Sequence, residues 1–172
     1  IEWIEEKPDA AADFVQALAE ELRMLVKFSG QALVTLEEEL ASCQRHIKIM
    51  SYRYDTEYTF TVSGLDKSIV IPPAIIHTQI ENAFSHNIIP DNANFSLEVT
   101  RQKNKIKLIL SSPFNSNTNE DSISKAHNSE GAGIGERYIQ SRLAECFHNN
   151  FSYQSYPKND TWVNIIQFEV ST

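Results

Sequence analysis

Glycine is scarce in this chain, with five residues in 172, and three of the five fall together at Gly131, Gly133 and Gly135. Cysteine is scarcer still. Cys43 and Cys146 match no metal or redox spacing, which removes a disulfide framework and predicts two small buried side chains in a reduced compartment. No apolar run approaches the ~18–20 residues needed to cross a bilayer, and no signal peptide is visible. Positive charge is in deficit: 15 Lys and Arg against 23 Asp and Glu give a net charge of −8, which argues against a nucleic-acid-binding surface while leaving room for a local basic pocket. The chain opens on Ile rather than Met, so it reads as a cytoplasmic piece of a longer protein. Any membrane segment of that parent is expected to lie outside it.

What is present is ordinary for a globular domain: 41% hydrophobic and 22% charged residues over a length sufficient to bury a core. Residues 9–29 read as a helix with an inward stripe of Phe14, Leu18, Leu22 and Leu25. Ser29-Gly30-Gln31 breaks it. A second helix opens at Thr35 with a capping-box pattern to Glu38, and its stripe runs Leu36, Leu40, Cys43, Ile47, Met50, Tyr54. Such a hairpin cannot bury its own apolar faces, so it must lie on the following domain, on a second copy, or on both. Beyond residue 57 the period changes to two. Strands are expected over 57–63 and 68–71, as a hairpin through Phe95–Val99 and Ile106–Leu110, and as a second hairpin over 151–156 and 162–170. The fold class is therefore α/β: a two-layer sandwich, a mixed sheet with helices on one face, preceded by an N-terminal helical hairpin. The division falls at 1–54 for the hairpin and 55–172 for the sandwich.

Between the strands lies the stretch IPPAIIHTQIENAFSHNII, 71–89. Its double proline presets the first turn of a helix whose apolar arc is Ile76, Ile80, Ala83 and Phe84. Thr78, Gln79, Glu81, Asn82, Ser85 and His86 form the polar arc. Residues 112–130 are rich in Ser and Asn and lack Gly, a composition that predicts a loop, poorly ordered over 116–129, acting as a lid. The clustered glycines follow it and precede a helix over 135–148. Close-set glycines let backbone N–H groups approach an anion, and a helix N-terminus adds a positive dipole end. No Lys-Ser/Thr follows, so this is not a Walker A loop, and no strand precedes it, so it is not a dinucleotide fingerprint.

Three stretches together resemble one family. IPPAIIHTQIENAFSHNI is similar to the N-box of GHKL-type ATPase domains in the LytS/YehU branch of sensor histidine kinases, roughly iPxxxLqxLVENAxkHG. GAGIGERYIQSRL resembles that branch's glycine box, GxGiGLxNxxxRL, and VTLEEELASCQRHIKIMSYRY resembles the helix ahead of its ATPase domain. The resemblance implies ATP and Mg²⁺ as cofactors, with Asn82 as the metal ligand and His86 near the phosphates. Glu81 would polarise the nucleophile. Gly131, Gly133 and Gly135 would close over the phosphates, and Arg142 would either reach the pocket or brace its helix. The implied reaction is transfer of the γ-phosphoryl of ATP to a histidine upstream of residue 1, for relay to a response regulator receiver domain. The implied assembly is a homodimer through helices at or before the start of the chain, in a parent anchored in the inner membrane.

Several positions depart from that pattern. Ser112 stands where the family carries the Asp or Asn that binds the adenine amino group, and a hydroxyl there is shorter and uncharged. Glu136 replaces an apolar residue, Tyr138 replaces Asn, and Asn87 stands where Gly is usual. These keep a second reading open, a degenerate module that binds nucleotide weakly or not at all and acts by dimerising or holding a partner. His46, His77, His127 and His148 do not match the phosphoacceptor motif and are expected at the surface or the edge of the core.

Overall fold

The computed structural model describes residues 8–115 and 133–170. Of the loop expected over 112–130 as a lid, residues 116–130 lie outside them, as does Gly131, while Ser112 and Pro113 belong instead to the strand Lys105–Pro113. In chain order the elements are α1 (Pro8–Ser29), β1 (Val34–Thr35), α2 (Leu36–Tyr54), β2 (Thr59–Ser63), β3 (Val70–Ile71) and α3 (Ile75–His86). They continue with β4 (Asn94–Gln102), β5 (Lys105–Pro113), α4 (Ile134–Phe147), β6 (Phe151–Lys158) and β7 (Thr161–Glu169). Five strands form one mixed sheet in the order β2-β4-β5-β7-β6. β2 and β4 run parallel, with α3 in their crossover, and every other pair is antiparallel. β1 and β3 pair separately over two residues each; β3 falls within the strand expected over 68–71, and β1 is too short to show in the sequence pattern.

The alternation that predicted the strands also sorts the two faces of the sheet. Ile106, Leu108 and Leu110 of β5 point to the helices and are buried, while Lys105 is exposed on the other side. Ile139 and Leu143 of α4 sit on the inner face, and Phe147 stacks on Phe168 with ring centroids 4.3 Å apart. The architecture is thus a two-layer α/β sandwich with a helical hairpin in front. The turn after β2 requires glycine: Gly64 has φ +70°, and a Cβ there would lie 2.1 Å from the Val99 carbonyl oxygen.

The hairpin lies on the sandwich through α2. Leu36, Leu40, Cys43 and Ile47 are buried in the same apolar cluster as Ile75, Ile76 and Ile80 of α3 and Phe95 and Leu97 of β4. Further along the stripe Met50 is only partly buried and Tyr54 is 47% exposed. The capping box forms as expected: the Glu38 amide donates to Thr35 Oγ1 at 3.2 Å, and the Thr35 amide donates to Glu38 Oε2 at 3.1 Å.

Two expectations for the helices need correction. In α1 the inward face is Ala11, Ala17, Glu21 and Phe28, whereas Leu18 and Leu22 of the expected stripe are exposed. The helix is turned to bury Glu21, whose partners lie on α2 and α3, and an apolar stripe is left outside. In α3 the two prolines precede the helix instead of forming its first turn. Ala74, with φ 63°, is the N-cap and offers no side-chain bond. Its place is taken by Glu39 of α2, which accepts from the backbone N–H of Ala74 at 2.8 Å, Ile76 at 2.9 Å and His77 at 3.0 Å. Burial pushes the Glu39 carboxyl up, and the three N–H donors pull it back only in part. No helix among the described residues is long and apolar enough to cross a membrane.

Candidate functional site

α3 and α4 lie side by side on the sheet and carry most of the residues singled out from the sequence. Their meeting point is a glycine. A Cβ built at Gly135 would lie 2.5 Å from Asn82 Nδ2 and 3.0 Å from Asn82 Oδ1, so the half-buried Asn82 carboxamide rests directly on the bare backbone of the first turn of α4. Any side chain at 135 would take the room that the amide occupies. Gly133 is the N-cap of α4, exposed, with open space where a side chain would be and no side-chain bond to the first-turn N–H groups. The N-terminus of a 14-residue helix therefore opens beside Asn82, with no side-chain cap among the described residues.

Around this point the remaining residues take different positions. Glu81 and His86 are exposed on α3. Gln79, expected on the polar arc, is buried and turned onto its own helix, its Nε2 donating to the Ile75 carbonyl at 2.8 Å. Tyr138 donates from its hydroxyl to the Pro73 carbonyl at 3.1 Å, tying α4 to the lead-in of α3. Arg142 is engaged at the other end of α4, with Nη1 on Glu145 Oε2 at 2.5 Å and Nη2 on the Gln31 carbonyl at 3.3 Å.

Ser112 ends the inward-facing row of β5. It is 1% exposed, and its Oγ has no hydrogen-bond partner among the described residues. A buried hydroxyl without a partner costs about 1–3 kcal/mol, so this one calls for an explanation. On the neighbouring strand, Asn164 is buried at a position whose parity predicted an apolar side chain. Its Oδ1 accepts from Ser155 Oγ at 2.7 Å and from the Tyr153 hydroxyl at 3.3 Å, and Trp162 Nε1 donates to Ser155 Oγ at 2.7 Å. Burial pushes the Tyr153 phenol up to about 12, so it remains a donor. Asn164 is not among the residues singled out from the sequence. A polar residue on the inward parity of a strand, between Trp162 and Ile166, was the available signal.

A second polar cluster overturns the expectation for His46 and His77. Both are buried, and both bind the carboxylate of Glu21 between α1, α2 and α3. Burial, the largest influence, raises the Glu21 carboxyl, but the hydrogen bonds and charge of the two imidazoles outweigh it and hold it at about 2. His148 is exposed at the end of α4, and His127 lies outside the described residues. Cys43 is fully buried as expected, while Cys146 is only partly so.

Comparison with known proteins agrees with this architecture. A family model described as "Histidine kinase" matches residues 1–58. No curated protein matches the chain. Among solved structures, the nucleotide-free catalytic domain of histidine kinase ThkA aligns over 80% of this chain and 93% of its own, with 10% identity and a TM-score of 0.53. Histidine kinase AdeS from Acinetobacter baumannii aligns over 94% of this chain and 81% of its own, with 10% identity and a TM-score of 0.57. ThkA in complex with response regulator protein TrrA covers 93% of this chain and 49% of that one, at 10% identity and a TM-score of 0.50. At such identities the likeness is one of fold. The chain has the mixed-sheet α/β sandwich of histidine kinase catalytic domains, and a segment that reads as histidine kinase in sequence.

Proposed function

We propose that the chain is the ATP-binding catalytic portion of a LytS/YehU-type sensor histidine kinase, which transfers the γ-phosphoryl of ATP to a histidine N-terminal to it for relay to a response regulator. The observation that carries this reading is the contact of Asn82 with Gly135 at the N-terminus of α4, which has no side-chain cap among the described residues. A carboxamide oxygen and helix N-terminal N–H groups are brought to one place, and both suit a triphosphate with its cation. Mg²⁺ held by Asn82 and by the phosphates would supply charge neutralisation, which is most of what phosphoryl transfer asks of a protein. Gly133 and Gly135 would let backbone approach the phosphates, and Glu81 and His86 are exposed on α3, the helix that carries Asn82. Ser112 accounts for its unpaired hydroxyl as a weak acceptor for the adenine amino group, with Asn164 and its donors on the adjacent strand. Arg142 braces α4. The receiver-domain partner is suggested by the ThkA–TrrA complex. The exposed row Val15, Leu18, Leu22 and Val26 of α1 supports a homodimer.

One observation favours the degenerate reading. Glu136 is half-buried in the first turn of α4, where a fixed negative charge competes with phosphate for the helix dipole. Thermal unfolding with Mg·ATP separates the two. Ligand at a hundred times its Kd stabilises by about 2.7 kcal/mol, which raises the Tm of a chain this size by roughly 5–10 °C. That rise is expected for the wild type and not for Asn82→Ala. No rise at millimolar ATP would leave the degenerate module standing.

A further inference from the structure

The cluster between the three helices is not used by the nucleotide reading, and its composition is unusual for a buried place. Glu21 Oε1 lies 2.8 Å from His46 Nδ1 and 2.9 Å from His77 Nε2. The three donor atoms all lie within 4.8 Å of one another, and the residues are 7%, 6% and 6% exposed. The imidazole rings stand 4.8 Å apart at 63°, so they converge on the carboxylate instead of stacking. His46 turns Nδ1 to the carboxylate, and its other ring nitrogen, Nε2, is buried with no partner among the described residues.

We propose that Glu21, His46 and His77 form a site for a divalent transition-metal ion of the zinc class, which pins the N-terminal hairpin to the helix bearing Glu81 and Asn82. Two imidazole nitrogens and one carboxylate oxygen are the donor set zinc accepts, at about 2.0–2.2 Å, with a fourth position left to the second Glu21 oxygen or to water. Donors on a tetrahedral ion of that size stand roughly 3.3 Å apart, so the Glu21–His46 and Glu21–His77 pairs open by about half an ångström and the two imidazole nitrogens, within 4.8 Å of each other, settle to the same spacing by side-chain rotation. Magnesium and calcium prefer all-oxygen sites, which separates this ion from the one at Asn82. Charge is balanced locally by Glu21 and by the buried Glu39, whose Oε1 accepts the His77 amide. Each ligand comes from a different helix, so the ion is held only when α1 and α2 are docked on α3, and it stabilises that docked state by mass action. The site stands whether or not the chain binds nucleotide.

The test uses the 172-residue chain, stripped with EDTA and titrated with zinc sulfate by calorimetry, with cobalt(II) absorption as a second probe. One ion per chain is expected, with a rise in Tm in the absence of nucleotide. X-ray absorption at the zinc edge of the wild type is expected to give a first shell containing two imidazoles and no sulfur. His46→Gln and His77→Gln should each weaken binding at least about tenfold, with circular dichroism confirming that they fold, and His148→Asn should not weaken it. Failure to bind at micromolar zinc, a first shell without imidazole, or affinity unchanged in folded His46→Gln and His77→Gln overturns the proposal. The wild-type absorption measurement decides the case even if both glutamine variants unfold.

Discussion

At the scale of single residues, Gly135 separates folding from binding more cleanly than any other position. In a helix, alanine is favoured over glycine by up to about 1 kcal/mol. At 135, however, the added methyl would meet the Asn82 amide at 2.5 Å. What it meets is the end of a short side chain and not backbone, so the amide can turn away at modest cost. Gly135→Ala is therefore expected to leave stability within about 1 kcal/mol of wild type. Mg·ATP affinity should fall at least tenfold, the equivalent of about 1.4 kcal/mol. Urea unfolding and nucleotide titration of the same preparation read the two effects separately. Equal affinity in the two proteins would mean that the orientation of Asn82 is irrelevant to the ligand. Ser112 offers no comparable substitution, because its hydroxyl has no partner among the described residues and its removal can stabilise the empty protein.

At the scale of elements, α1 shows what a helix pattern conceals. Its buried face carries two alanines, a glutamate and Phe28, while Val15, Leu18, Leu22 and Val26 are exposed at 61%, 39%, 56% and 75%. Their spacing of three, four and four is that of a packing seam. If a second copy covers the seam symmetrically, Leu18 and Leu22 place four leucines in it, each contributing about 1.5–3 kcal/mol when fully buried. Leu18→Glu/Leu22→Glu is expected to convert a dimer into a folded monomer, as read by sedimentation with circular dichroism as the control. A wild-type chain that already sediments as a monomer would remove the seam's role. The other elements were far more legible. The β4–β5 and β6–β7 hairpins, α4 and the capping box of α2 follow from local period and local caps, which sequence displays. The face of α1, the cap of α3 by Glu39 and the burial of His46 and His77 follow from partners 25 to 56 residues apart. No window of one helix contains them. In the candidate site, Asn82 and the glycines were visible through motif resemblance. Asn164 was masked because its partners sit on another strand.

At the scale of the whole molecule, the hairpin and the sandwich share one interior, and that decides how the chain unfolds. Leu36, Leu40 and Ile47 are each at most 4% exposed within the cluster that includes α3 and the sheet. Burying three such side chains contributes roughly 5–9 kcal/mol, against a total stability of about 5–15 kcal/mol for a domain. Glu39 adds to this, since its loss would leave three N–H groups at the start of α3 without their acceptor. A fragment of residues 55–172 thus loses both the apolar cover of Ile75, Ile76 and Ile80 and the cap of the helix that carries Glu81 and Asn82. It is expected to be unfolded or to lack fixed tertiary packing, with weak near-ultraviolet dichroism and no Tm response to Mg·ATP. The full chain carrying Trp3→Phe, which leaves Trp162 on β7 as its one tryptophan, is expected to unfold in one urea transition, with far-ultraviolet dichroism and tryptophan fluorescence superimposable. Two separated transitions, or a 55–172 fragment that melts cooperatively, would mean that the hairpin is an accessory to the sandwich and not part of its core.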